Sequence, residues 1–172
     1  TIKKQRDIAR AFELGVRLFA VDCVAEVEKI ARVAPGSKVF CRILCDGAGA
    51  EWPLSRKFGC VPDMAAEVLE HAHRLGLEAY GVSFHVGSQQ RNPRMWDGAL
   101  KASATIFQEL AERGIHLSMV NLGGGFPTAI SKPFPMSNTM AMRFSAPCRA
   151  ISAIIFPKPS SSRVAAWSAM PA

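Results

Sequence analysis

The stretch that most limits the possible folds is Leu117–Thr128, LSMVNLGGGFPT. An apolar run from Leu117 to Leu122 reads as a strand, and it stops at three consecutive glycines, Gly123, Gly124 and Gly125. Glycine has no Cβ, so the backbone there can take positive φ and let an anion reach its N–H groups. A strand emptying into such a loop is a common way for α/β proteins to hold a phosphate. A plain glycine-rich turn is the competing reading, and the upstream chain decides between them.

Upstream, apolar periodicity switches repeatedly between strand and helix. A short helix over 3–14 ends at Gly15, and strand 17–21 is followed by a helix from Cys23 to about Val33, capped by Asp22. Strand 38–44 leads through a polar loop, Cys45–Gly59, to a helix opened by Pro62 and Asp63 that runs to about Leu75. Strand 78–86 precedes a long helix, about 93–113, and the fourth strand enters the glycines. Such alternation with short connections predicts a parallel sheet with right-handed crossovers. About four βα units make half of a (β/α)8 TIM-type barrel, which needs roughly 250 residues. An open flavodoxin-like sheet is the competing architecture. Both build their sites at the carboxyl ends of the strands.

After Thr128 the pattern collapses. Residues 129–172 hold six of the eleven prolines and eight serines, with no glycine and no acid, and only about 150–156 keeps a period. The expected division is therefore a partial barrel domain, 1–128, and an irregular, aberrant tail, 129–172. The net charge of +7 suggests nucleic acid, but its placement argues against this. All fourteen acids lie before Thr128 beside sixteen Lys and Arg, and the remaining five basic residues sit in the tail. No apolar run reaches 18 residues, which argues against a membrane span. The start lacks a signal-peptide core, so a cytoplasmic location is expected. Five cysteines without a C-x-x-C pair predict free thiols rather than disulfides or zinc.

Chemistry concentrates at the end of the third strand, in SFHVGS, 83–88. Phe84 and His85 must point to opposite faces, one to the barrel interior and one to its helical jacket. The imidazole can stack on a flat ring or meet an anion, and Gly87-Ser88 adds a tight turn and a hydroxyl.

Together, GVSFHVGSQ, PLSRKFG and NLGGGFPT resemble, in this order, the ornithine/diaminopimelate/arginine decarboxylases of the alanine-racemase barrel type, which use pyridoxal 5'-phosphate. The opening TIKKQRDIARAFELGVRLFAVDCVAEVEKIA is similar to the same family, so the resemblance covers about residues 1–128. It implies that His85 stacks on the cofactor's pyridine ring, that Ser88 bonds its phosphate, and that Gly123, Gly124 and Gly125 offer it backbone N–H groups. It also puts Lys57 or Arg56 near the site, although Pro53 stands where the family often has arginine. Phe126-Pro127 after the glycines leans toward the ornithine enzymes, which release putrescine and carbon dioxide. Gln89 leans toward the diaminopimelate enzymes. Arginine enzymes, or a non-catalytic regulatory partner, are the other outcomes.

The resemblance further implies a homodimer, a Schiff-base lysine in a Y-A-V-K-like strand, and a carboxylate from an E-P-G-R-G motif. No lysine here has that context, so this chain is expected to lack the catalytic lysine and to be inactive alone. Regrouping the codon letters of Ser161–Ala172, SSRVAAWSAMPA, permits EPGRGMVGNAG, and a frameshift near Thr128 is therefore expected.

Overall fold

The computed structural model describes residues 2–52 and 57–126, together with the backbone of 153–155. The expectations for Pro53, Arg56, Pro127 and Thr128, and for most of the tail, lie outside the described residues. The elements are α1 (Gln5–Glu13), β1 (Leu18–Val21), α2 (Val24–Val33), β2 (Lys38–Arg42), α3 (Pro62–Arg74), β3 (Glu78–Ser83), α4 (Met95–Glu112), β4 (Met119–Asn121) and β5 (Ala153–Ile155).

Helix ends follow local chemistry. Pro62 opens α3 at a position where its missing N–H costs nothing, and Asp63 lies in the first turn. Before α4, the Asn92 side chain accepts the Arg94 N–H at 3.0 Å. Helices α1, α3 and α4 stop alike. At α3, for instance, Gly76 takes φ +77° and the Leu77 N–H returns to Ala72 O at 3.0 Å. The entry to α2 departs from expectation. The N-cap position falls to Cys23, and the Asp22 carboxylate accepts the Gly59 N–H at 3.1 Å, tying the loop before α3 to the end of β1.

All five strands are parallel, in the order β1-β2-β3-β4-β5. A flavodoxin-like sheet would place its first strand inside the order, so the sequential order sets that alternative aside. Right-handed crossovers between successive neighbours put every helix on one side. Burial agrees. Phe19, Val21, Val39, Cys41, Val82, Phe84, Val120 and Leu122 share one face and join residues from all four helices, such as Ile8, Val27, Ile30, Leu69 and Leu110, in a single core. On the other face Leu18, Ala20, Phe40, Arg42 and Tyr80 are only half-buried, and burial returns at Gly81, Ser83 and Met119. A sheet jacketed on one side and open on the other is a stretch of barrel wall.

A bulge at Tyr80 keeps the faces in phase. Val39 pairs with Ala79 but Phe40 pairs with Gly81. Close approach explains the glycine, because a Cβ on Gly81 would lie 2.2 Å from Met119 O. The strands are shorter than the apolar runs suggest. Past Arg42 and Ser83 the chain continues as single contacts, such as Ile43 with Cys60 and Phe84 N–H with Asn121 O. The period noted at 150–156 corresponds to β5, which pairs with β4.

Near the amino terminus Glu26 is buried on α2 between Lys3 and Lys29. Burial pushes its carboxyl pKa up, but hydrogen bonds and charge from Lys29 and Lys3 outweigh that and hold it below the usual value.

Candidate functional site

The site forms where the continuations of β2, β3 and β4 meet beyond the strands' carboxyl ends. Registers fix which side chains face it. Arg42 pairs with Ser83, and Ser83 with Asn121, so Ser83 and Asn121 lie on the open face. One residue later Phe84 is fully buried toward the helices. His85 therefore takes the barrel-interior side, where it is half-buried.

The imidazole and the glycine loop are in direct contact. His85 Nδ1 lies 2.8 Å from Gly123 O. A carbonyl only accepts, so Nδ1 carries the proton and donates, which fixes the ring's orientation. Gly123 and Gly125 have φ of +68° and +90°. A Cβ would lie 2.0 Å from Phe84 O at Gly123 and 2.2 Å from Gly87 O at Gly125. Backbone thus packs on backbone, and only glycine fits. Gly87 is followed by Ser88, whose N–H donates to Trp52 O at 3.0 Å. The hydroxyl of Ser88 has no partner among the described residues.

The three glycine N–H groups are not equivalent. That of Gly123 donates to Asn121 Oδ1 at 2.9 Å, an Asx-type turn that shapes the loop. Those of Gly124 and Gly125 have no partner among the described residues. Of the three expected donors, that of Gly123 is thus engaged within the chain. Asn121 is a residue that sequence reading passed over, although an Asn two positions before a glycine is the signal for such a turn.

A second overlooked residue is Gln90, which is fully buried. Its Nε2 donates to Ala48 O at 2.9 Å and to Val86 O at 3.3 Å, and its Oε1 accepts the Asn92 N–H at 3.1 Å. Its backbone N–H donates to Gly125 O at 2.8 Å. One residue therefore braces all three loops. Cys45 adds a bond from Sγ to His85 O at 2.8 Å, and burial pushes its thiol pKa up. At the far end of the loop the Phe126 ring stacks on buried Trp96, with centroids 5.1 Å apart.

Lys3 and Lys29 serve Glu26, Lys38 pairs with Glu78 beside Tyr80 at the opposite end of the sheet, and Lys57 is exposed. Among the described residues no group of three metal-ligating side chains occurs, and no helix is long and apolar enough to cross a membrane.

The wall of βα units, jacketed on one side and with its loops gathered at the strands' carboxyl ends, is part of a (β/α)8-barrel domain. The family described as pyridoxal-dependent decarboxylase, pyridoxal binding domain, matches residues 1–155, and this chain belongs to it. It is 36% identical over 131 residues to the lysine/ornithine decarboxylase of Selenomonas ruminantium, covering 76% of this chain and 33% of that protein. It is 37% identical over 134 residues to the ornithine decarboxylase of Candida albicans, covering 77% and 28%. The crystal structure of the Paramecium bursaria Chlorella virus arginine decarboxylase bound to agmatine superposes with a TM-score of 0.80 at 32% identity, over 90% of this chain and 43% of that one. The chain thus spans about a third of the curated relatives it matches. The family's enzymes are pyridoxal-phosphate-dependent decarboxylases.

Proposed function

We propose that residues 1–126 form the phosphate-cradling part of a decarboxylase acting on a basic amino acid, L-ornithine first. When bound, pyridoxal phosphate supplies an electron sink for the pair left on the α-carbon as carbon dioxide departs. The residues here fit its phosphate end. Gly124 and Gly125 would donate their N–H groups, and Ser88 its hydroxyl. Gly123, held by Asn121, would shape the loop rather than donate. His85, its ring fixed by Gly123 O, would lie against the pyridine face.

The observation that carries this reading is the pair of N–H groups without a partner among the described residues, beside an oriented imidazole, in a turn where no Cβ fits. Phe126 after the glycines favours ornithine, and an ornithine decarboxylase is among the relatives. The partner would be a second copy of the chain. The chain alone is expected to be inactive, because none of Lys3, Lys4, Lys29, Lys38, Lys57 or Lys101 stands in the Y-A-V-K-like strand context that tethers the cofactor's aldehyde. Lys3, Lys29 and Lys38 are engaged at Glu26 and Glu78.

Titration of the 172-residue chain with pyridoxal phosphate, followed by tryptophan fluorescence, tests the cradle. Expected is binding that inorganic phosphate displaces and that pyridoxal, which lacks the phosphate, reproduces only weakly. Equal binding of both, or of neither, refutes it. Release of carbon dioxide from ornithine by this chain would refute the expected inactivity. As part of the same proposal, residues 129–172 are read out of frame. The neighbouring reading frame of the gene past Thr128 should then continue the decarboxylase, and a stop codon there would refute this.

A further inference from the structure

Away from the cradle, two thiols lie side by side in the core. Cys41, on the helix-facing side of β2, is fully buried, and Cys60, just before α3, is 6% exposed. Their sulfurs are 3.4 Å apart. Cys60 Sγ also lies 3.6 Å from Arg42 O. Main chain holds this pairing. The Cys60 N–H donates to Arg42 O at 3.0 Å, and Leu44 N–H donates to Cys60 O at 2.8 Å, so Cys60 is bonded alongside β2. The Asp22 carboxylate anchors the preceding residue, Gly59.

We propose that Cys41 and Cys60 are a reactive dithiol that peroxide oxidises to a reversible intrachain disulfide. A disulfide bond is about 2.05 Å long, so closure asks the sulfurs to approach by roughly 1.4 Å, within reach of side-chain rotation. The roles of the two sulfurs differ. Contact with Cys60, then burial, pushes Cys41 well up, whereas the S–H that Cys41 offers lowers Cys60. Cys60, the only one of the two with any solvent exposure, is therefore the nucleophile.

Its thiolate attacks one peroxide oxygen, the O–O bond breaks, and hydroxide leaves to become water with the proton that Cys60 gave up. Cys60 is then a sulfenic acid. Cys41 sulfur attacks the Cys60 sulfur, the S–O bond breaks, and the departing hydroxide takes the Cys41 proton as a second water. Two thiols are oxidised by two electrons, and peroxide is reduced to two waters. The bond would staple β2 to the end of the loop whose earlier residues, Ala48 and Trp52, touch Gln90 and Ser88.

The test is mass spectrometry of the full chain after hydrogen peroxide treatment, denaturation and alkylation of the remaining thiols. Expected is a Cys41–Cys60 cross-linked peptide, lighter by two hydrogens than the reduced pair, as the dominant linkage. It should vanish with dithiothreitol and lose its dominance when oxidation is carried out in urea. Because Cys41→Ser could unfold the core, a second variant carries Cys23→Ser, Cys45→Ser and Cys148→Ser and leaves the pair intact. It should still form the bond. Linkage through Cys23, Cys45 or Cys148 instead, or a Cys60 sulfinic acid with Cys41 still alkylatable, would overturn the proposal.

Discussion

Replacing Gln90 by alanine should loosen the three loops together, and the cost can be worked out from its contacts. Ala48 and Asn92 are exposed, so water can replace the bonds to Ala48 O and Asn92 N–H. Val86 is fully buried, so its carbonyl loses a partner it cannot replace. An orphaned buried acceptor costs about 1–3 kcal/mol. The one methylene removed, Cγ, from a site with no exposure adds about 0.8 kcal/mol. The sum is roughly 2–4 kcal/mol of unfolding free energy, read from urea denaturation followed by tryptophan fluorescence. Gln90→Met keeps most of the volume and should recover the packing part alone, leaving about 1–3 kcal/mol. Because the backbone bond from residue 90 to Gly125 O remains, the cradle should weaken toward phosphate rather than vanish. If Gln90→Ala costs less than about 0.5 kcal/mol, as an ordinary surface substitution does, Gln90 does not brace these loops.

Gly125→Ala forces a side chain into a left-handed turn against Gly87 O, and should cost about 3 kcal/mol or more while abolishing displacement by inorganic phosphate in the same titration. Gly98→Ala is the control: it lies within α4 with nothing within 4 Å of its would-be Cβ, so urea denaturation should show a gain of about 0.5–1 kcal/mol. Glu26→Gln removes a buried carboxylate from two lysines and should cost roughly 1–3 kcal/mol at neutral pH. Because the folded state holds the Glu26 pKa below its ordinary value of 4.5, its stabilisation is present above that pH and is lost as pH falls toward the folded value. Acid titration of stability should show a shallower decline in the variant over that window.

The architecture was legible because periodicity and punctuation agreed. Gly15, Gly76 and Gly114 marked the ends of three helices, and each is followed by a hydrogen bond back to the last turn. The opposed directions of Phe84 and His85 follow from strand alternation alone, but only the registers say which of them faces the barrel interior. Strand ends were overestimated, since past Arg42 and Ser83 the ladder thins to isolated bonds such as Ile43 N–H to Ser83 O and Leu44 N–H to Cys60 O, while the side chains stay apolar. Asp22 has a capping residue's chemistry, yet a donor 37 residues downstream in the sequence, Gly59, holds its carboxylate. Gln90 was invisible for a similar cause: a polar residue in a polar loop gives no sign that the fold will bury it. The same holds for Asn121, whose side chain takes a donor that would otherwise have been assigned to an anion.

Each strand of this sheet lies beside its predecessor in the chain. A unit leaving the ribosome can therefore dock on the one already made, without waiting for a distant partner. The order in which the wall is laid down then follows the order of translation, and the histidine turn is completed only when the glycines that hold its imidazole and its Gln90 N–H arrive.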